Sequence, residues 1–157
     1  MSKARILSGW VVLLVVGMTL ASSAFIRATA EEPTVDELKA RLSSTDIGSR
    51  PQLCLQIAER QLAAADKLYA ALESEKAEAS LGDVVAFSEL ARDYSLQSHK
   101  HEKQTEIKVR RMARKLTDIK HAVTFDEQSA VQGAINKLER VRDDLLLAMF
   151  PKKGEKK

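Results

Sequence analysis

The stretch Arg50-Pro51-Gln52-Leu53-Cys54-Leu55-Gln56-Ile57-Ala58-Glu59-Arg60-Gln61-Leu62-Ala63-Ala64-Ala65-Asp66-Lys67-Leu68-Tyr69 decides the fold class. Its apolar residues recur at helical spacing, not at the alternation of a strand. Projected at about 100° per residue, Leu53, Cys54, Ile57, Ala58, Gln61, Leu62, Ala64, Ala65, Leu68, Tyr69 and Leu72 share one arc of about half the circumference. Gln56, Glu59, Arg60, Asp66 and Lys67 take the other side. Pro51 is tolerated in a first turn, so Arg50-Pro51 opens the helix. A face this broad predicts two helical neighbours, with alanines permitting close approach, and it motivates self-association.

The same logic extends in both directions. Upstream, Pro33-Thr34-Val35-Asp36-Glu37 places Glu three residues after an N-cap Thr, which predicts a short helix through Leu42. Ser43 to Ser49, with Gly48, reads as a loop. Downstream, Glu73-Ser74-Glu75-Lys76 is the expected turn. A third helix from Ala77 or Ser80 then buries Leu81, Val84, Phe87, Leu90, Ala91 and Tyr94. The series Val84, Ser88, Ala91, Ser95, Ser98, Glu102, Thr105, Val109, Met112, Leu116, Ile119, Val123 keeps a 4-3 spacing through a polar middle at Ser98–Gln104. That spacing favours one continuous, coiled-coil-like helix, and a loop over the polar middle that leaves two helices is the alternative. Thr124-Phe125-Asp126-Glu127 is a second capping box. It starts a last helix to about Met149 with the stripe Val131, Ala134, Ile135, Leu138, Val141, Leu145, Leu146, Met149. The short connection makes that helix antiparallel to Val109–Val123.

Between Pro51 and Pro151 there is no proline, the only glycines are Gly82 and Gly133, and no run of alternating Val, Ile and Thr suggests a strand. The expected fold is therefore all-α, an antiparallel bundle of three to four main helices. No tetratricopeptide pattern repeats. The expected division is 1–30 signal peptide, 31–49 short helix and loop, 50–150 helical bundle, and 151–157 a basic disordered tail.

The signal peptide follows from Lys3 and Arg5, an apolar run within Ile6–Ala21, and the small residues of Ala28-Thr29-Ala30. Cleavage is expected after Ala30, with Ala24 the alternative, and an uncleaved anchor is the competing reading. The apolar run is short for a span of about 20 residues. No cysteine lies near residues 20–30, which excludes lipid attachment at a processed Cys. The 45% apolar content rules out a disordered chain. The formal charge of +3 is supplied entirely by Lys3, Arg5 and Arg27, so a chain processed after Ala30 is neutral. That removes the charge argument for a nucleic-acid partner.

Candidate chemistry is sparse. Cys54 is the only cysteine and sits within the apolar arc, which makes it a buried small hydrophobe. His99 and His101 are two residues apart and cannot share one ion on a helix. His121 stands beside Lys120 in a cationic stretch. No phosphate loop, zinc helix or nucleophile elbow occurs, and paired carboxylates such as Asp143-Asp144 have nothing to raise a pKa for acid–base work. No catalytic residue, cofactor or metal is expected. Lys108, Arg110, Arg111, Arg114, Lys115 and Lys120 form a cationic helix and are the candidate anion-binding residues, for phospholipid headgroups or acidic envelope polymers. No aromatic sits among them to stack bases, which argues against nucleic acid. The alternative is a solvated face balanced by acidic helices elsewhere.

The segment Arg50–Leu62 with Ala65-Asp66-Lys67-Leu68-Tyr69 resembles small exported bacterial helical proteins that carry no assigned activity. The resemblance implies a bacterial envelope setting and transfers no catalytic residue. The charge pattern is also similar to that of periplasmic helical chaperones, but their Leu-Thr-x-x-Gln signature is absent: Leu116-Thr117 is followed by Asp118-Ile119-Lys120. The expected role is non-enzymatic protein interaction or scaffolding in the periplasm or outside the cell, through an envelope protein or a second copy. The alternatives are a membrane-peripheral or anion-binding protein using 108–120, and a ligand carrier with a pocket in the bundle.

Overall fold

The computed structural model describes residues 33–151. The expected signal peptide and the stretch 152–157 of the expected tail lie outside the described residues. Those residues form α1 (Val35–Leu42), α2 (Arg50–Ala70), α3 (Ser74–Ser98), α4 (Glu102–Ala122) and α5 (Phe125–Met149), with no strand among them. The structure is all-α.

Each helix end has an identifiable cause. At α1 the Thr34 backbone N–H donates to Glu37 Oε2 at 2.8 Å, and Glu37 N–H donates to Thr34 Oγ1 at 3.3 Å. At α5 the Glu127 carboxylate accepts from the Thr124 N–H at 2.9 Å and from its hydroxyl at 2.7 Å. The α2 terminus differs from expectation. Glu73 N–H reaches back to Leu68 O at 2.9 Å and Leu72 N–H to Tyr69 O at 3.0 Å, the two bonds of a Schellman closure. The turn is therefore Ala71–Glu73, and Ser74, Glu75 and Lys76 already belong to α3.

The polar stretch after Ser98 resolves into two helices. His99 and His101 both adopt left-handed conformations, with φ of 51° and 64°, and the chain reverses between them. Lys100 packs onto Gly48, where a Cβ would stand 3.0 Å from Lys100 Cδ, so the α3–α4 turn is seated on the loop before α2. The 4-3 series survives the break. Val84, Ser88, Ala91 and Ser95 on α3 and Thr105, Val109, Met112, Leu116 and Ile119 on α4 are all buried. Its polar members are satisfied: Ser88 Oγ donates to Val84 O at 2.7 Å, and Ser95 Oγ and Thr105 Oγ1 share a bond of 2.8 Å. On α3, Val85 and Ala77 are buried where Leu90 was expected, and Leu90 is exposed.

Side-chain pairs fix how the helices run. Glu59 meets Lys108 and Asp66 meets Lys115, while Gln52 meets His101. The spacing is seven residues on both helices, so α2 and α4 lie side by side in the same direction. Ser74 meets Glu127 and Arg92 meets Asp144, which sets α3 and α5 in a common direction as well. Arg142–Glu106 and Lys120–Gln132 set α5 opposite to α4. The broad arc of α2 is used within the protein. Leu53 and Ile57 close a small cluster with Leu38 of α1, and Cys54, Ala58, Leu62, Ala65 and Tyr69 enter the main core. Self-association therefore draws no support from that arc. Leu55, which the projection left outside the arc, is 1% exposed and joins the same core, and Leu72, assigned to it, is 81% exposed.

Two expectations follow from the core. Ser95→Ala or Thr105→Val alone should cost about 1–2 kcal/mol, because each leaves the other hydroxyl buried without its partner, whereas the double replacement should cost less than the two singles together; denaturant titration of the four proteins reads the coupling. Burial pushes the Cys54 thiol up to about 11 against a smaller lowering by Arg50, and burial with Glu78 and Glu127 pushes Tyr69 up to about 12. Both acids ionise later in the folded chain than in the unfolded one. Their contribution is intact below about pH 9 and is lost as pH rises through 11 to 12, on the order of 2 kcal/mol each. Thermal melts should be flat near neutrality and fall above pH 9, and a Cys54→Ala chain should lose the lower part of that fall.

Candidate functional site

The six candidate cations of α4 do not form one patch. Helical geometry sorts them. Lys108 and Lys115, seven apart, face α2 and are neutralised there by Glu59 and Asp66 at 2.9 and 2.8 Å. The Asp66 carboxylate also holds Lys115 above its ordinary pKa. Lys120 turns toward α5 and donates to Gln132 Oε1 at 2.7 Å. Arg111 is exposed. Arg110 and Arg114, four apart, face a groove between α4 and α5.

That groove has a volume of about 260 Å³ and is lined by Arg110, Ala113, Arg114, Thr117, Glu139 and Arg142. Arg142 belongs to α5 and was not among the sequence candidates. The signal that could have found it is Glu106, an acidic residue at a helix position adjoining the buried seam. Glu106 is 6% exposed, and its Oε1 accepts from Arg142 Nε at 3.0 Å and lies 3.6 Å from Arg110 Nε. The Arg110 contact is the i, i+4 pair that helical spacing provides, and it is the longer of the two. A buried carboxylate requires a paired cation, so this charge draws a guanidinium from the facing helix. Both arginines also line the groove. The Arg114 side chain makes no ion pair or hydrogen bond among the described residues.

A second unusual place lies where α2 and α4 end and α3 and α5 begin. Leu72 occupies the left-handed position of the Schellman closure with φ of 61° and is 81% exposed. Phe125, the first residue of α5, is 85% exposed. An apolar groove of about 220 Å³ lies at this end, lined by Tyr69, Leu72, Ile119, Val123, Thr124 and Glu127 among others. Tyr69 is itself buried, and its hydroxyl meets no hydrogen-bond partner among the described residues. Hydrogen bonds from Ser74 and Thr124 hold Glu127 below the usual carboxylate range.

The remaining candidates are structural in their setting. Cys54 is fully buried. His101 stands 3.3 Å from Gln52, and His99 is an exposed turn residue 3.8 Å from Glu102. Among the described residues no group of three His, Cys, Asp or Glu is placed to hold a metal ion, and no helix is long and apolar enough to cross a membrane. No family model, no curated protein and no solved structure matches the chain.

The Glu106 cluster predicts an asymmetry between its two arginines. Arg142→Met removes the shorter partner of a buried charge and should cost about 3 kcal/mol. Arg110→Met removes a longer contact from a side chain 42% exposed and should cost less than about 1 kcal/mol. Urea denaturation of the two variants compares them directly.

Proposed function

We propose that this chain is an exported, non-enzymatic helical protein that acts by protein contact, and that its working face is the end bearing Leu72 and Phe125. The export reading rests on the sequence of residues 1–30. The contact reading rests on one observation: a leucine stands at a helix terminus in a conformation that favours glycine, and it is 81% exposed there. The left-handed backbone costs a non-glycine residue about 1–2 kcal/mol, and an exposed leucine gains nothing in the isolated protomer to offset it. A partner that covers the side chain supplies the missing gain.

A second copy of the chain fits this surface. Phe125 projects from the same end that carries the groove of Tyr69, Leu72, Ile119 and Val123. A projecting ring and an apolar groove on one surface are what an isologous pair needs. An envelope protein presenting an aromatic side chain is the other partner of the same chemistry.

Sedimentation of the processed protein tests the reading. The wild-type chain should associate reversibly at tens of micromolar. Leu72→Gly should remain monomeric and melt at a higher temperature, since it relieves the left-handed strain while removing the contact. A wild-type chain that stays strictly monomeric removes self-association, and a Leu72→Gly chain no more stable than wild type removes the backbone argument.

A further inference from the structure

We propose that the groove between α4 and α5 walled by Arg110, Arg114 and Arg142 is a binding site for a phosphate group. It is independent of the contact face at Leu72.

One of the three guanidiniums is hydrogen-bonded in place before any ligand arrives, and a second lies near the carboxylate that holds it. Arg142 Nε donates to Glu106 Oε1 at 3.0 Å, and Arg110 Nε lies 3.6 Å from the same oxygen. Glu106 is 6% exposed, so this anchor is inside the protein and not on its rim. Arg142 and Arg110 line the groove while meeting Glu106 through Nε. Arg114 follows Arg110 by one turn of α4 and is uncommitted among the described residues. Three guanidiniums against the carboxylates of Glu106 and Glu139 leave the groove net positive.

The arrangement favours phosphate over carboxylate. Arg110 and Arg114 reach the groove from α4 and Arg142 reaches it from α5. A carboxylate offers its lone pairs in one plane, whereas a tetrahedral phosphate presents oxygens toward both walls at once and can accept from several forks. Ala113 and Thr117 contribute small side chains to the lining, and the Thr117 hydroxyl is turned back onto Ala113 O at 3.1 Å. The volume of about 260 Å³ greatly exceeds the roughly 30 Å³ share of one water. It has room for a phosphate and the first atoms of whatever bears it, whether a free phosphate ester or a phospholipid headgroup.

The test is titration calorimetry of the exported chain at low ionic strength with inorganic phosphate and glycerol phosphate, and flotation with phosphatidylglycerol vesicles. Arg114→Gln is the informative variant, because it leaves the Glu106 anchor intact. Arg111→Gln removes the same charge from the neighbouring position outside the groove. Saturable binding that weakens about tenfold in Arg114→Gln and is unchanged in Arg111→Gln supports the site. Binding to the soluble phosphates identifies a free ester as the source, and binding to vesicles alone identifies a headgroup. Equal losses in the two variants would show diffuse charge attraction and overturn the site, as would no binding to any of the three probes. Leu72→Gly should bind phosphate as the wild-type chain does, so a failure here is separable from a failure of the contact face.

Discussion

A single hydrogen bond, Ser95 Oγ to Thr105 Oγ1 at 2.8 Å, sits where the chain turns back on itself and satisfies the two hydroxyls that the reversal buries. The 4-3 series from Val84 to Val123 describes one continuous stripe if the backbone stays helical. The left-handed histidines at 99 and 101 fold that stripe so that both halves face one core. Folding it turns Ser95 and Thr105, on either side of the turn, inward and leaves His99, Lys100, Lys103 and Gln104 exposed. Hydroxyls tolerate this because each can donate and accept within reach of the other. Charged residues in their place would carry a large desolvation cost. The serines and threonine of the seam are therefore consistent with a hairpin and wasteful in a straight helix, which exposes its middle to water.

Much of the fold was legible because its determinants are local. The capping boxes at Thr34 and Thr124, Pro51 in a first turn, and the near absence of glycine and proline after it act within a few residues of where they stand. The reversals were harder to read for a physical reason. A left-handed terminus is usually announced by glycine or asparagine, and here leucine and histidine hold the position. Composition carries no trace of such a choice. The α2 boundary was consequently displaced into Ser74–Lys76, and the break after Ser98 stayed open. Leu90 was assigned to the core because projection ranks residues by one axis, whereas α3 has neighbours on several sides and draws in Val85 and Ala77 instead.

The cationic helix shows the same limit from another side. Counting charges on α4 gives one basic segment, but the side chains divide by spacing. Positions 108 and 115 repeat at seven and follow the shared register of α2, where Glu59 and Asp66 repeat at seven too. Positions 110 and 114 repeat at four and turn to α5. This division was present in the sequence, since residues seven apart stay on one face and those four apart share a face one turn on. For Arg142 the sequence holds only the demand of Glu106 for a cation; which residue answers it is set by the packing of α5.

Glu106 connects the two levels of organisation. Burying a carboxylate is costly unless it is paired, and replacing such a pair with apolar side chains is often neutral or stabilising. Stability alone is therefore a weak reason for a charge at this position. Geometry is a better one. A carboxylate that accepts from the Nε of Arg142 fixes that guanidinium on the wall of the groove, a role no leucine can fill. The more exposed of its two arginine neighbours, Arg110, contributes little to the pairing at 3.6 Å, which is the arrangement expected of a side chain positioned for something beyond Glu106. Leu72 presents a corresponding case where α2 ends: a left-handed residue, 81% exposed, is costly by the rules of the isolated fold, and the contact proposed for it would offset that cost.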